Sequence, residues 1–426
     1  MHIERLDADG FGTGSDDGIE FRVKAALPGE TVQARILRKR RRVRLAEAVA
    51  VSAPAANRVP PRCPAFPRCG GCVLQHLSDT AALTFKARGL ETALAAAGVA
   101  ARRIVAPVAG PRLRYRRKAR LGVKRLGDQV LVGFRESFSA RVGRMQQCPV
   151  LSEPFTELLG PFAELIGELS IADRIPQLEV AAGDRDQQVI VRHLAPLEAA
   201  DLDRLRAFEQ RYGICLLLQP AGPDSITTLD QTPPPLLEYA LPDFGLSLEF
   251  AAQEFTQVNA AINARLVADV LALVGSGAGK TAVDLFCGIG NFSLALAARG
   301  YRVWGFEAAA GAVHRARDNA RRNGFSGSST FAVADLYDET SAPLPAADTL
   351  VLDPPRSGAG PALPRWLTQG AAAGLQQVAY VSCNPTTFAT DARVFIDHGF
   401  ELTRVGAYDM FPHTSHVETL GLFQRW

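Results

Sequence analysis

Apolar positions change their period along this chain. In the first 52 residues they alternate with polar ones: Ile19, Phe21 and Val23, then Val32, Ala34 and Ile36, then Val43 and Leu45, in runs broken by G-F-G-T-G-S-D-D-G and L-P-G-E. Such alternation marks half-buried strands, so a small all-β module is predicted. The proline-rich and alanine-rich residues 52–61 read as a linker. A helix follows at about 83–97, then strand signals at 119–123, 130–134, 178–182, 189–193 and 214–219, with a hairpin turn at G-D-R-D, residues 183–186. Prolines at 233–235 and 242 mark a further boundary, and the whole reads as an α+β middle domain.

From about residue 246 strands alternate with helices. Val258, Ile262, Leu266, Val270 and Leu273 form one helical face, and short continuous apolar runs recur at 350–352 and 378–381. That pattern predicts a doubly wound α/β domain with a parallel sheet. The domains expected are 1–57, 58–248 and 249–426, with the last two strands near 402–410 and 418–424.

Composition adds little to the fold: 47% hydrophobic and 21% charged is ordinary for a soluble globular protein. No apolar signal core opens the chain and no run of about 18 apolar residues occurs, so a cytoplasmic protein without a membrane span is expected. Charge changes the picture more. Residues 1–150 hold 28 Lys/Arg against 12 Asp/Glu, a net of +16, whereas the remainder carries 19 against 32, a net of −13. The basic residues crowd at Arg38, Lys39, Arg40, Arg41, Arg42 and Arg44, and again around Tyr115. Runs this dense repel themselves unless a polyanion neutralises them, so nucleic acid is the expected partner and a basic five-stranded, oligonucleotide-binding-like barrel fits the N-terminal module.

Seven cysteines, an odd number, argue against a disulfide framework. C-P-A-F-P-R-C-G-G-C sets Cys63, Cys69 and Cys72 in a C-x5-C-x2-C spacing, and Cys148 in M-Q-Q-C-P-V-L is available as a fourth. Four thiolates suit either zinc or an iron-sulfur cluster.

The remaining chemistry gathers at predicted strand ends, where open α/β sheets bind their ligands. D-L-F-C-G-I-G-N-F-S reads as strand, glycine turn and helix; Ser293 replaces the third glycine of a dinucleotide fingerprint, which favours a nucleoside cofactor such as S-adenosylmethionine over NAD. Glu307 closes the next strand as a ribose ligand would, and Asp335, ending a predicted strand at 331–336, is placed to meet an adenine amine. Asp353 follows a buried strand in D-P-P-R-S-G, and Cys383 follows another in A-Y-V-S-C-N-P, either as buried filler or as a nucleophile. F-P-H-T-S-H-V-E offers His413, His416 and Glu418, without the third histidine that a metal site there would need. G-S-G-A-G-K-T precedes its strand and lacks the first glycine of a phosphate loop.

Together C-x5-C-x2-C with Cys148, Y-R-R-K-A, F-T-Q-V-N, D-L-F-C-G-I-G-N-F, D-P-P-R, S-C-N-P and F-P-H-T-S-H-V-E resemble the RNA (uracil-5-)-methyltransferase family, specifically its iron-sulfur enzymes of 23S ribosomal RNA. The resemblance implies a Rossmann-like methyltransferase domain, an N-terminal OB-like TRAM barrel that binds RNA, and a 4Fe-4S cluster on Cys63, Cys69, Cys72 and Cys148. It assigns S-adenosylmethionine contacts to Gln257, Phe286, Asn291, Glu307, Asp335 and Asp353, and makes Cys383 the nucleophile and Glu418 the base. It also implies that the helix near 83–97 packs on the catalytic domain. A monomer acting on 23S ribosomal RNA is expected. The rival readings are a transfer RNA uracil-5-methyltransferase, a cytosine-5 methyltransferase, whose cysteine usually follows proline, and a non-catalytic iron-sulfur RNA-binding protein.

Overall fold

The computed structural model describes residues 1–338, 344–368 and 374–425. The N-terminal strands β1 (Arg5–Leu6), β2 (Gly12–Asp16), β3 (Ile19–Lys24), β4 (Val32–Lys39) and β5 (Val43–Val51) form one sheet in the order β1-β2-β3-β5-β4. A bridge between His2 and Thr31 brings the outer strands together, so the sheet curls round a small core of Ile3, Val23, Ala26, Val32 and Ala46. Gly14 is required there, because a Cβ would fall 2.2 Å from the His2 carbonyl oxygen. The far end of β4 turns its side chains to solvent, including Ile36 and Leu37 beside the basic run.

A second sheet holds β6 (Lys118–Leu126), β7 (Gln129–Gly133), β8 (Gln177–Ala182), β9 (Gln187–Arg192), β10 (Cys215–Gln219) and β11 (Thr227–Thr228), in the order β11-β10-β9-β8-β6-β7. The expected hairpin joins β8 to β9, with the Gly183 N–H donating to the Asp186 carbonyl. Phe155, Phe162, Leu205 and Phe208 fill the core beneath this sheet, in which Cys69, Cys72 and Cys148 are also buried.

Helix α1 (Asp79–Ala96), capped by the Ser78 hydroxyl, does not join that core. Its Leu90 and Leu94 pack in the C-terminal core with Phe388 and Phe395. The chain then runs along a C-terminal strand, bridging Ile104 to Val405 and Val108 to Tyr408, before it reaches β6. The hairpin of β12 (Leu237–Leu241) and β13 (Leu246–Phe250) likewise packs with C-terminal residues.

The C-terminal sheet is made of β14 (Thr281–Leu285), β15 (Arg302–Glu307), β16 (Ser329–Val333), β17 (Thr349–Leu352), β18 (Gln377–Ser382), β19 (Glu401–Tyr408) and β20 (Glu418–Gln424), in the order β16-β15-β14-β17-β18-β20-β19. β14 to β18 are parallel, and β20 runs antiparallel between β18 and β19. Helices α2 (Leu159–Glu168) and α3 (Ala199–Tyr212) pack on the second sheet, whereas α4 (Ala260–Val274), α5 (Asn291–Ala298), α6 (Ala310–Arg322), α7 (Leu363–Thr368) and α8 (Pro385–Asp397) belong to the C-terminal layers. Strands covered on both faces read as continuous apolar runs, which is why 350–352 and 378–381 lack alternation. The strand order reverses between β14 and β17, and the crevice at such a reversal is where a ligand enters. No helix among the described residues is long and apolar enough to cross a membrane.

Candidate active site

The carboxyl ends of β14, β15, β17 and β18 surround a cavity of about 920 Å³, near the upper end of the ~300–1,000 Å³ usual for small-molecule sites. Phe286, Asn291, Glu307, Asp353, Cys383 and Glu418 line it, as does Gln257 from the loop before α4. Seven of the eight residues expected at a cofactor and catalytic site therefore share one cavity. Asp335 is the exception. β16 ends at Val333, and the exposed Asp335 carboxylate accepts the Tyr337 N–H at 2.9 Å, directly beside Leu336 and Tyr337, which line the cavity.

After β14 the backbone turns sharply, with Phe286 at φ +62° and Gly290 at φ +97° leading into α5. A left-handed conformation at a bulky residue such as Phe286 is uncommon and tends to occur where function demands it. Its ring lies edge-on to Tyr337, at 5.9 Å between centroids. Ser293, in place of the third glycine, donates its hydroxyl to the buried Asp284, whose pKa burial raises to about 7. Asn291 is fixed by a paired amide contact with Asn263, at 3.0 and 2.9 Å, and by the Tyr239 hydroxyl at 3.0 Å. Glu307 accepts the N–H groups of Gly288 and Ala309, at 3.3 and 2.9 Å, which holds its carboxylate at the cavity.

Asp353 accepts the Gln257 amide at 3.2 Å, and burial raises its pKa to about 7. Burial, then the charge of Asp353, pushes Glu418 well above the ordinary carboxylate range. Cys383 sits half-buried between β18 and the Asn384-capped α8, and its thiol is pushed up to about 12 by burial, then by Glu418 and Asp353, against an opposing effect of Arg356. β18 and β20 are paired with Ser382 opposite Thr419, so Cys383 and Glu418 flank the same rung of the sheet. A cysteine, Cys383, and the carboxyl groups of Glu307, Asp353 and Glu418 thus face one space.

The four motif cysteines meet at a second cavity of about 270 Å³, which Cys63, Cys69, Cys72 and Cys148 all line. Burial raises the thiols of Cys72 and Cys148 to about 11 and 12. Gln75 accepts the Cys63 N–H at 3.0 Å, and the buried Lys24 ammonium donates to the Cys69 carbonyl. Among the described residues no three His, Cys, Asp or Glu side chains are grouped as a single metal ion would need. His416 lines this cavity and lies 3.3 Å from the Arg356 guanidinium, while His413 is buried. Tyr239, Asn263 and Tyr337 were not foreseen: each comes from a different element, and no spacing in the sequence links them to Asn291 or Phe286.

The model of the tRNA (uracil-5-)-methyltransferase family matches residues 240–331 and 345–425. A 23S rRNA (uracil(1939)-C(5))-methyltransferase of Azoarcus sp. is 42% identical over 430 residues, covering 99% of each chain. Its counterpart in Alkalilimnicola ehrlichii is 43% identical, covering 99% of this chain and 96% of that one. The crystal structure of the Pyrococcus abyssi tRNA (uracil-54, C5)-methyltransferase with S-adenosyl-L-homocysteine superposes with a TM-score of 0.73 at 25% identity, covering 99% of both chains. With agreement over almost the full length, this chain belongs to the RNA uracil-5-methyltransferase family.

Proposed function

We infer that this protein transfers a methyl group from S-adenosylmethionine to carbon 5 of a uridine in 23S ribosomal RNA. The observation that carries the reading is the meeting of Cys383, Asp353 and Glu418 in the 920 Å³ cavity of a chain 42% identical throughout to enzymes of that activity. Carbon 5 of uracil is a weak nucleophile. Addition of the Cys383 thiolate at carbon 6 makes an enolate, and carbon 5 then attacks the sulfonium methyl, leaving a neutral thioether product. Glu418 removes the carbon 5 proton; the C–H electrons form the 5,6 double bond and the C–S bond breaks, releasing the thiolate. Gln257, Phe286, Asn291, Glu307 and Asp353 hold the methyl donor in this reading, and Asp335, which also accepts the Tyr337 N–H at the cavity's edge, is the sixth contact proposed. The target base leaves its stack to enter the cavity. Likeness to the Pyrococcus abyssi enzyme raises transfer RNA as an alternative substrate. Mapping 5-methyluridine in both RNAs from cells lacking the gene separates the two: loss in 23S RNA supports the first, loss in transfer RNA alone replaces it.

Attack needs the Cys383 thiolate, whereas burial and the neighbouring Glu418 and Asp353 favour the neutral thiol. Raising pH therefore raises the ionised fraction. Single-turnover methyl transfer is expected to rise by about tenfold per pH unit from pH 6 to 9, with no plateau near an ordinary thiol pKa. A flat profile above pH 7 would show that Cys383 is not the group being ionised.

The middle region, within 58–248, carries the second site. Four buried thiols that line one cavity are a donor set for a 4Fe-4S cluster, which takes four thiolate ligands. Cys63, Cys69, Cys72 and Cys148 would be its ligands, and the cluster would cross-link the first cysteine loop to the segment at Cys148. Anaerobically purified protein is expected to contain about four irons with matching sulfide; one zinc and no sulfide would defeat the assignment. In residues 1–57 the curled basic sheet, with β4 and Arg40 to Arg42 exposed, serves as the OB-like TRAM surface for RNA phosphates. The enzyme acts as a cytoplasmic monomer in this reading.

A further inference from the structure

The segment that carries Glu418 forms a wall between the two cavities. Phe411 lines both the cysteine cavity and the catalytic cavity. Thr414 and His416 line the cysteine side, and His416 contacts Arg356, which lines the catalytic side. The backbone of the segment hangs on the cysteine loop: the N–H groups of Val73 and Leu74, directly after Cys72, both donate to the His413 carbonyl, at 2.8 and 3.0 Å. Tyr115, another wall of the cysteine cavity, donates its hydroxyl to the Pro412 carbonyl at 3.2 Å. From the other side, the buried Lys86 of α1 is paired with Asp409 and donates to the Phe411 carbonyl at 2.9 Å. His413 itself holds a left-handed conformation, φ +66°. A non-glycine residue keeps that conformation only where its surroundings enforce it.

We propose that Phe411 is a positioning residue through which the filled cysteine cavity holds Glu418 in place, so that loss of the cavity's contents slows release of the methylated base from Cys383. The inference rests on the cluster and base assignments above. Phe411 borders both the cysteine cavity and the catalytic cavity, seven residues before Glu418. With the cysteine cavity filled, the ring is supported from behind. With it emptied, the ring and the strained backbone at His413 can relax toward the vacated space, and Glu418 moves with them. Attack by Cys383, which is held on β18 and α8, does not depend on this wall. The coupling therefore acts on the last step and not on binding.

The test uses full-length protein purified anaerobically, with a 23S RNA fragment as substrate. Hydrogen exchange is followed in the amides of residues 410–417 before and after iron is removed by a chelator. Exchange is expected to quicken on removal. In Phe411→Ala it should be fast already, and iron removal should add nothing, the non-additivity that marks two changes acting through one contact. Phe411→Ala should keep its iron and hold S-adenosylmethionine within about twofold, yet release methylated RNA from the protein roughly 10²-fold more slowly, as a small misplacement of a catalytic group does. Phe411→Leu, which restores bulk, should recover most of that rate and covers the case in which the alanine variant folds poorly. Unchanged exchange on iron removal, or release from Phe411→Ala at the native rate, overturns the coupling. Absence of iron from the native protein would instead overturn the cluster assignment beneath it, a result that iron analysis reports separately.

Discussion

Cys383→Ala should bind RNA and S-adenosylmethionine and transfer no measurable methyl, a loss of roughly 10⁴-fold or more, as when the nucleophile of a covalent mechanism is removed. The size of the effect follows from the substrate. Without addition at carbon 6 there is no enolate, and nothing else in the cavity makes carbon 5 reactive. The thiol is half-buried and makes no packing contribution comparable with the apolar strand before it, so the variant should fold normally. Binding of radiolabelled cofactor checks this directly. Should methyl transfer survive, Cys287 is the next nucleophile to test, since it lines the same cavity after β14.

Glu418→Gln should fail later and differently. Attack and methylation proceed, but the carbon 5 proton stays, so the thiolate cannot leave. RNA should remain joined to protein through a thioether, visible on a denaturing gel and carrying label from the cofactor methyl, with release slowed by about 10² to 10⁴-fold. Burial already favours the neutral acid at this position, and glutamine matches that acid in shape and charge, so thermal stability should not fall. The double variant Cys383→Ala, Glu418→Gln should give no adduct. Normal turnover by Glu418→Gln would reassign the base, with Asp353, the carboxylate that acts on it most strongly, as the candidate.

What the sequence disclosed and what it hid divide along physical lines. Local periodicity is imposed by burial of a strand or helix face, so the alternating runs of the first 52 residues and the continuous runs at 350–352 and 378–381 were legible as strands. Because parallel strands end on one edge, the residues at the ends of such runs, Glu307, Asp353 and Cys383, are brought together by the sequence pattern alone. Partners are a different matter. The apolar face of α1 says that Leu90 and Leu94 are buried, but not that Phe388 and Phe395 bury them. At Asp335 the sequence leaves two roles open, because an aspartate two residues past a strand looks the same whether it faces a ligand or caps its own turn at Tyr337. Phe411 gave no signal at all, since its place between two cavities depends on chain segments far apart in sequence.

The reversed direction of β20 has a further effect. Because it runs against β18, the end of one strand lies beside the start of the other, and the backbones at Cys383 and Glu418 are set apart by the spacing of neighbouring strands, about 4.8 Å in any sheet. The sheet works as a ruler whose unit is the peptide hydrogen bond. Extra residues in the connection between α8 and β19 would leave that spacing unchanged, because the β18–β20 pairing fixes it.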